Sequence, residues 1–275
     1  MSSLDTAMGM LKLIGKERPV LRVGEISREL KMQKSTASRL LRKLADHGLL
    51  AREMEGYGYV AGQLGLILAD LYLSGQTLLK MVDGAIKVLV QEFGFVGYAA
   101  ALSGNEVVIL RMLHGRYPLR LVREVGTRQG VWSASIGRAL LARRSDAEAW
   151  TILKSPGGPR ISRGEAVAEL ARIRANGTAA TDSAVVPNIS AIGASVGDPD
   201  RNEALGFALS FPMTATDEAM RRRMTARIYE EAMGIGTRFG DPFWGALTPK
   251  RNATHTSRAR KLPRKHRAQR LKTRA

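Results

Sequence analysis

The stretch from Lys34 to Ala61 constrains the fold more than any other part of the sequence. Within KSTASRLLRKLADHG, four apolar residues recur at the i, i+3, i+4, i+7 spacing of one helix face: Ala37, Leu40, Leu41 and Leu44. We predict a helix at about Lys34–His47, ended by Gly48. The next segment, LLAREMEGYGYVAG, predicts two short strands that turn at Glu55–Gly56. An amphipathic helix therefore leads directly into a β-hairpin.

Two shorter helices are predicted before this one. The first, Leu4 to Ile14, has apolar residues at helical spacing, namely Leu4, Met8, Leu11 and Ile14. Gly15 and Pro19 interrupt it, and Val23 to Leu30 forms the second. Three short helices followed by a hairpin predict a winged helix-turn-helix domain over residues 1–62, in which the third helix enters the major groove of DNA.

The outer face of the third helix has the residue types that read duplex DNA. Short hydroxyl side chains allow a close approach to base edges, Arg39 can fork onto a guanine or hold a phosphate, and Lys34 and Arg42 suit phosphates. The candidate DNA-binding residues, one of them on the hairpin, are Lys34, Ser35, Thr36, Ser38, Arg39, Arg42 and Tyr57. Taken alone, such a helix more often has an ordinary solvated face, but the complete order of helices and hairpin favours DNA.

The net charge also favours a polyanionic partner. The chain has 43 Lys and Arg against 25 Asp and Glu, a formal net charge of +18, which suits nucleic acid or an anionic membrane surface. From Pro249 onward there are 11 basic residues and no acidic one. We expect residues 248–275 to be a disordered basic tail. It is either a solvated tail that aids solubility or a non-specific phosphate clamp.

Several function classes are excluded or disfavoured. Cysteine is absent, which excludes disulfides, thiol catalysis and cysteine-ligated metals. The four histidines form no pair with metal-ligand spacing, and no serine lies in a G-x-S-x-G motif. The most apolar run, Leu64 to Leu73, is too short to span a bilayer, and the N-terminus lacks a signal-peptide layout. We therefore expect a cytoplasmic, nucleoid-associated protein that is not an enzyme and has no cofactor, metal or membrane partner.

The second half of the chain predicts an α+β domain with an antiparallel sheet. Gln63 to about Gln91 is almost entirely helix-forming, with possible divisions at Gly75 and Gly84. We take residues 63–80 as a linker helix, which either packs against a twin chain or belongs to the core of a domain at 81–247. The predicted strands are Gly97–Leu102, Glu106–Met112, Tyr117–Val125, Ala180–Val185, Ala191–Gly197 and Ala204–Pro212. The predicted helices are Ser135–Arg144, one capped by Asp146 that runs to Leu153, one capped by Ser162 that runs to Asn176, and one from Thr216 or Asp217 to about Met233.

Three segments, taken in order, resemble the IclR family of prokaryotic transcriptional regulators. The first is VGEISRELKMQKSTASRLLRKLADHGLLARE, with its KST and RLL core. The second, LRLVREVGTRQGVWSASIGRALLA, is similar to the family's strand, loop and SA-x-GKALLA helix. The third, GTAATDSAVVPNISAIGASVGDPDRNEALGFALSFPMT, follows the family's run from a helix stop to its S-x-S-G-P strand. The resemblance covers about residues 4–240 and implies a GAF-like effector-binding domain in the second half.

The resemblance also implies a pocket for a small organic effector, often a carboxylate or an aromatic compound. Carried over by position, its candidate residues are Ala134, Ser135, Gly137, Thr181, Asp182, Ala191, Ala208 and Ser210. Free N–H groups at the start of the Ser135 helix could hold an anion. The chain departs from the family pattern at Thr181, Ala191 and Ala208, where the family has an acid, a cysteine and a serine. Trp132 and Phe211 are further departures, expected to narrow the pocket or to favour an apolar ligand.

These observations together predict a ligand-responsive transcriptional regulator. We expect it to bind a roughly palindromic operator in double-stranded DNA as a homodimer or a dimer of dimers. The alternative is an architectural DNA-binding protein in which the basic tail dominates and the second domain only dimerises.

Overall fold

Two antiparallel sheets organise the described part of the chain. The computed structural model describes residues 2–15, 18–75, 77–117, 124–182 and 187–247. The predicted strand Tyr117–Val125 lies almost wholly outside these residues, as does the basic tail. The first sheet has three strands in the order β1–β3–β2, and the second has six in the order β6–β5–β4–β9–β8–β7.

The N-terminal part is the predicted winged helix-turn-helix. Its elements are α1 (Ser3–Lys12), β1 (Leu21–Arg22), α2 (Val23–Glu29), α3 (Lys34–Asp46), β2 (Leu50–Arg52) and β3 (Gly58–Ala61). The four apolar residues of the amphipathic pattern, Ala37, Leu40, Leu41 and Leu44, are all buried in α3. They share a core with Leu21 of β1, Ile26 of α2 and Tyr59 of β3. The spacing of the apolar residues thus correctly predicted which face of α3 is buried.

The predicted inner face of α1 is partly wrong. Leu4 and Met8 are 68% and 47% exposed, whereas Ala7 and Met10 are buried. A stripe through Ala7 and Met10 lies next to the predicted one on the helix surface, so apolar spacing alone did not choose between them. The side chains of Leu4 and Met8 are left on the surface.

The predicted helical stretch after the wing forms two helices, α4 (Gln63–Gly75) and α5 (Thr77–Phe93). The division at Gly75 is confirmed, but the one at Gly84 is wrong because α5 continues through Gly84, which faces open space. Helix α5 buries eight residues against the six-stranded sheet. Helix α4 instead exposes its apolar side chains on several sides, including Leu66, Ile67, Leu68 and Leu71.

The six-stranded sheet lies between two helical layers. Its strands are β4 (Val96–Ser103), β5 (Glu106–Leu113), β6 (Arg128–Gly130), β7 (Ala179–Asp182), β8 (Ile189–Asp198) and β9 (Glu203–Pro212). Every pairing between them is antiparallel. Alternate residues of the central strands fill two separate cores. One core includes α5 and α9 (Glu218–Arg238), and the other includes α6 (Ser135–Leu141), α7 (Asp146–Leu153) and α8 (Arg163–Asn176). This confirms the α+β prediction.

Local capping explains where the helices of this part begin. Ser162 caps α8 as predicted, and Gly177 ends it with a φ of 72°. The predicted cap of α7 is wrong by one residue, because Ser145 accepts the Glu148 N–H and forms a capping box while Asp146 is the first helical residue. Asp217 caps α9, which runs beyond the predicted end at Met233 to Arg238.

A last short helix, α10 (Pro242–Leu247), was not predicted, and it closes the end of the sheet. The Asp241 carboxylate is fully buried, lies 2.7 Å from the Arg143 guanidinium, and accepts the Gly197 N–H at 2.7 Å. The Trp244 indole donates to the carbonyl of Ser195 at 2.8 Å. These bonds tie α10 to β8, and through Arg143 to the segment that follows α6.

Candidate nucleic-acid interface and effector site

The outer face of α3 presents the predicted DNA-binding residues to solvent. Lys34, Ser35, Arg39 and Arg42 are exposed, while Thr36 and Ser38 are half-buried beside them. No acidic partner pairs with the three cations anywhere in the described residues. Unpaired cations around short hydroxyl side chains form a surface that can hold phosphates while its centre approaches base edges.

The hairpin adds a second exposed element beside this face. Tyr57, predicted from the sequence, is 98% exposed, and Met54 in the same tip is 100% exposed. Sequence reasoning missed Met54, and it also missed Lys43, an exposed cation on α3. Strand alternation does not place Met54, because the tip between β2 and β3 is an irregular turn.

Four of the eight predicted effector residues, Thr181, Ala191, Ala208 and Ser210, lie on the face of the six-stranded sheet that packs against α6. The register pairs Thr181 with Ala191, Ala191 with Ser210, and Ser210 with Val96. These residues form one row across β7, β8, β9 and β4. Ala208 lies in the next row of the same face, where it belongs to the core beneath α6.

Helix α6 starts above the adjacent row, that of Ala208, because glycines allow a close approach there. A Cβ on Gly193 would lie 3.3 Å from the Ser135 Oγ, so the start of α6 lies directly above β8. Gly137 packs against the carbonyl of Val131, which leaves no room for a side chain there. Ala134 is the N-cap of α6 and makes no side-chain capping bond. Gly193 was not among the predicted residues, although strand alternation places it on the same face of β8 as Ala191.

Three residues with hydroxyl side chains lie around this row and are largely buried. Ser135, Thr181 and Ser210 are only 2%, 7% and 8% exposed. Across the ranges that the structure describes, none of the three hydroxyls has a hydrogen-bond partner. None of these three hydroxyl oxygens is among the fully buried side-chain atoms of the described residues that lack a partner, so each still reaches solvent. Groups of this kind suit a bound molecule that supplies the missing donors and acceptors.

The eighth candidate, Asp182, lies on the opposite face of the sheet. It follows Thr181 on β7, so its side chain points toward α9. There it accepts a hydrogen bond from the Ser190 hydroxyl and lies 3.6 Å from the Arg221 guanidinium. The structure therefore does not bring Asp182 together with the hydroxyl row.

The expected role of Phe211 also needs correction. Phe211 is buried on the α5–α9 side, so it cannot narrow a pocket beneath α6. Trp132 stacks against the Arg138 guanidinium, with 4.8 Å between the Arg138 Cζ and the ring centroid. Burial lowers the pKa of Arg138 below its ordinary value, and the nearby Glu169 carboxylate opposes this shift.

Two further observations bear on function. Among the described residues, no three His, Asp or Glu side chains gather closely enough to hold a metal ion. In the same part of the chain, no helix is both long and apolar enough to cross a bilayer.

Comparison with known proteins agrees with this architecture. The family described as "IclR helix-turn-helix domain" matches residues 3–53, and "Bacterial transcriptional regulator IclR C-terminal" matches residues 70–236. The chain is 25% identical over 245 residues to the HTH-type transcriptional regulator KdgR of Escherichia coli K12, covering 87% of this chain and 93% of KdgR.

Two solved structures share the fold. The IclR transcriptional regulator from Silicibacter sp. TM1040 matches with a TM-score of 0.78 at 19% identity, covering 87% of this chain and 96% of that one. An IclR homologue from Microbacterium hydrocarbonoxydans, solved with 4-hydroxybenzoate, matches with a TM-score of 0.68 at 20% identity, covering 87% of this chain and 99% of that one. Because both domain families match in order and span most of the chain, this protein belongs to the IclR family of transcriptional regulators, which are DNA-binding proteins and not enzymes.

Proposed function

We propose that the protein is an operator-specific transcriptional regulator whose DNA binding responds to a small organic effector, a carboxylate or an aromatic compound. In this proposal residues 1–62 bind DNA, 63–80 link the domains, 81–247 bind the effector, and 248–275 add general affinity for DNA at the nucleoid. The hydroxyls of Ser135, Thr181 and Ser210, which have no partner among the described residues and gather at the start of α6, are the observation that carries the effector half. The exposed cationic face of α3 supports the DNA half.

Helix α3 enters the major groove with its N-terminal half toward the bases. Ser35, Thr36 and Ser38 are short enough to let the helix approach, and Arg39 is placed to fork onto a guanine. Lys34 and Arg42 flank them and hold phosphates, which set the register of the protein on the duplex.

Replacing Arg39 with Ala should relax specificity at particular base pairs of the operator. A bidentate contact to one base is worth about 1–3 kcal/mol of discrimination. The variant should therefore bind the operator more weakly than the wild type does, while its affinity for operators altered at those base pairs should change little. The measurement is fluorescence anisotropy with the selected operator and its single-base variants. Arg42→Ala is the matched control on the same helix, expected to weaken binding uniformly. An equally uniform loss for Arg39→Ala would show that Arg39 holds only phosphate.

The effector binds on the hydroxyl row of the sheet, in front of the start of α6. Ser135, Thr181 and Ser210 offer donors and acceptors to a carboxylate or hydroxyl group of the ligand, and the neighbouring Ala191, Ala208 and Val96 offer apolar contact. The bound 4-hydroxybenzoate in the Microbacterium homologue supports an aromatic acid as the first class to screen.

Removing the row hydroxyls should abolish the ligand response without weakening the fold. For Thr181→Val combined with Ser210→Ala, we expect a melting temperature close to that of the wild type, because neither hydroxyl bonds to another described residue. The ligand-induced rise in melting temperature, which reports binding to the folded state, should fall or disappear. The measurement is a thermal-shift screen with small carboxylic and aromatic acids.

Ser195→Ala is the matched control on β8. Its buried Oγ donates to the Ala139 carbonyl at 2.8 Å, so its loss should destabilise the fold by about 1 kcal/mol. If the double variant is destabilised like Ser195→Ala and keeps the full ligand response, the hydroxyl row is not the effector site.

Two chains pair through α4 and so present two copies of α3 to a palindromic operator. The support for this pairing is the exposed apolar surface of α4, where Leu66 is 75% exposed and Ile67, Leu68 and Leu71 are also uncovered. Effector binding then shifts the population of linker arrangements and hence the spacing of the two α3 helices. Such a coupling is typically worth about 1–3 kcal/mol.

A further inference from the structure

We propose that the wing tip, residues 53–57 between β2 and β3, reads the width of the minor groove through apolar contact and rejects operators whose flanks are narrow A-tracts. This inference rests on the proposed function, because it requires α3 to lie in the adjacent major groove. It assigns to Met54 and Tyr57 a role in specificity, and none in holding phosphates.

The tip presents two large apolar side chains to solvent. Met54 and Tyr57 are more exposed than any other large apolar side chain in the described residues. Single exposed apolar residues are common on protein surfaces. Two of them on one hairpin tip have the form of the apolar wedges with which proteins enter the minor groove.

The charge of the tip is wrong for a phosphate clamp. From Glu53 to Ala61 the sequence has two acidic residues, Glu53 and Glu55, and no Lys or Arg. Helix α3, by contrast, exposes Lys34, Arg39, Arg42 and Lys43. Arg52, exposed on β2 at the base of the hairpin, has its Cζ 5.7 Å from the Tyr59 ring centroid, so the hairpin's one cation is at its base and the tip itself contributes through Met54 and Tyr57.

The fold of the tip holds one of its acids inward. The Glu53 side chain folds back over Gly56 and Gly58, where a Cβ on either glycine would overlap its carboxylate. Its Oε2 is buried and has no hydrogen-bond partner. Glu55 remains exposed at the tip between the two apolar residues.

The wing is fixed relative to α3. Leu49, at the root of the hairpin, donates to the carbonyl of Leu44 in α3 at 3.0 Å and accepts the Gly62 N–H at 3.0 Å. A hairpin held in this way follows α3 onto the duplex and reaches the minor groove that flanks the major groove α3 occupies.

The charge of Glu55 and the width of the minor groove then determine which flanking sequences the wing tip accepts. A-tracts have a stiff, narrow minor groove with enhanced negative potential, which repels Glu55 and leaves little space for a tyrosine ring. Pyrimidine–purine steps such as TA and CA/TG unstack and open easily, so they accept an apolar side chain at low cost. We therefore expect operators with such a step at the wing position to bind more tightly than those with an A-tract.

The test uses the full chain and an operator that it selects from genomic DNA, synthesised with either a CA/TG step or an A-tract at the wing position. Anisotropy titrations over a range of salt concentrations give the affinity and its salt dependence. We expect the wild type to bind the A-tract version about tenfold more weakly. Tyr57→Ala should lose about tenfold on the CA/TG version with no change in salt slope, because no phosphate contact is removed. Tyr57→Phe, which keeps the ring, should bind like the wild type.

Glu55→Gln should reduce the discrimination against the A-tract. Lys34→Ala is the contrasting control, since loss of a phosphate contact lowers the salt slope by about 1. Equal wild-type affinity for both flanks, or a Tyr57→Ala variant that binds both like the wild type, overturns the inference while the proposed function stands. If the wild type selects no bounded site at all, the proposed function itself fails.

Discussion

Replacing Asp241 with Ala is expected to lower the free energy of unfolding by about 3–5 kcal/mol. The Asp241 side chain is fully buried, and its partner Arg143 is only 14% exposed, so the substitution leaves a charged guanidinium without a counter-ion. It also removes the acceptor of the Gly197 N–H on β8. Because Arg143 follows α6, the same change should loosen the helix that starts beside the effector row.

The measurement is urea denaturation monitored by circular dichroism. Asp200→Ala is the matched control, since Asp200 is an exposed acid in the turn between β8 and β9. Its loss should change stability by less than about 0.5 kcal/mol. For Asp241→Asn, which keeps an acceptor oxygen, the loss in free energy of unfolding should lie between those of Asp241→Ala and Asp200→Ala. A loss below about 1 kcal/mol for Asp241→Ala would show that α10 does not hold the end of the sheet.

The second large effect is expected from charging one face of α4. Ile67→Glu combined with Leu71→Glu places two carboxylates four residues apart on the same side of an exposed apolar helix. If this face pairs two chains, the double variant should be monomeric and should bind the operator at least about 100-fold more weakly, because one α3 can engage only one half-site. Sedimentation velocity and anisotropy measure the two effects.

The control for this variant lies on the same helix. Ala69 is exposed on the opposite side of α4, so Ala69→Glu adds a similar charge outside the proposed contact. We expect it to remain dimeric and to bind DNA like the wild type. A double variant that keeps the wild-type sedimentation coefficient and affinity would contradict pairing through this face.

The sequence predicted the elements whose patterns are repeated and local. The inner face of α3 followed from four apolar residues at one spacing, and the end of α8 followed from Gly177, whose positive φ favours glycine. The face of α1 did not follow, because Ala7 and Met10 compete with Leu4 and Met8 and tertiary packing chooses between them. The N-cap of α7 was misplaced because Ser145 and Asp146 are both good caps, and only the bond to Glu148 distinguishes them.

The candidate effector site shows the same division between local and long-range information. Resemblance supplied Thr181, Ala191 and Ser210, but only the register of three strands brings them into one row. Strand alternation alone is enough to separate Asp182 from Thr181, and to place Phe211 on the far side from Ser210. Short helix α10 was missed because its bonds to β8 join residues more than forty positions apart.

The most direct test of the account is a DNase I footprint of the full chain on its selected operator at physiological salt. We predict one bounded protected segment, with two half-sites centred about 10 base pairs apart or a multiple of that spacing. Continuous protection along the fragment that fades uniformly as salt rises would contradict it, and would indicate a coating protein governed by the basic tail.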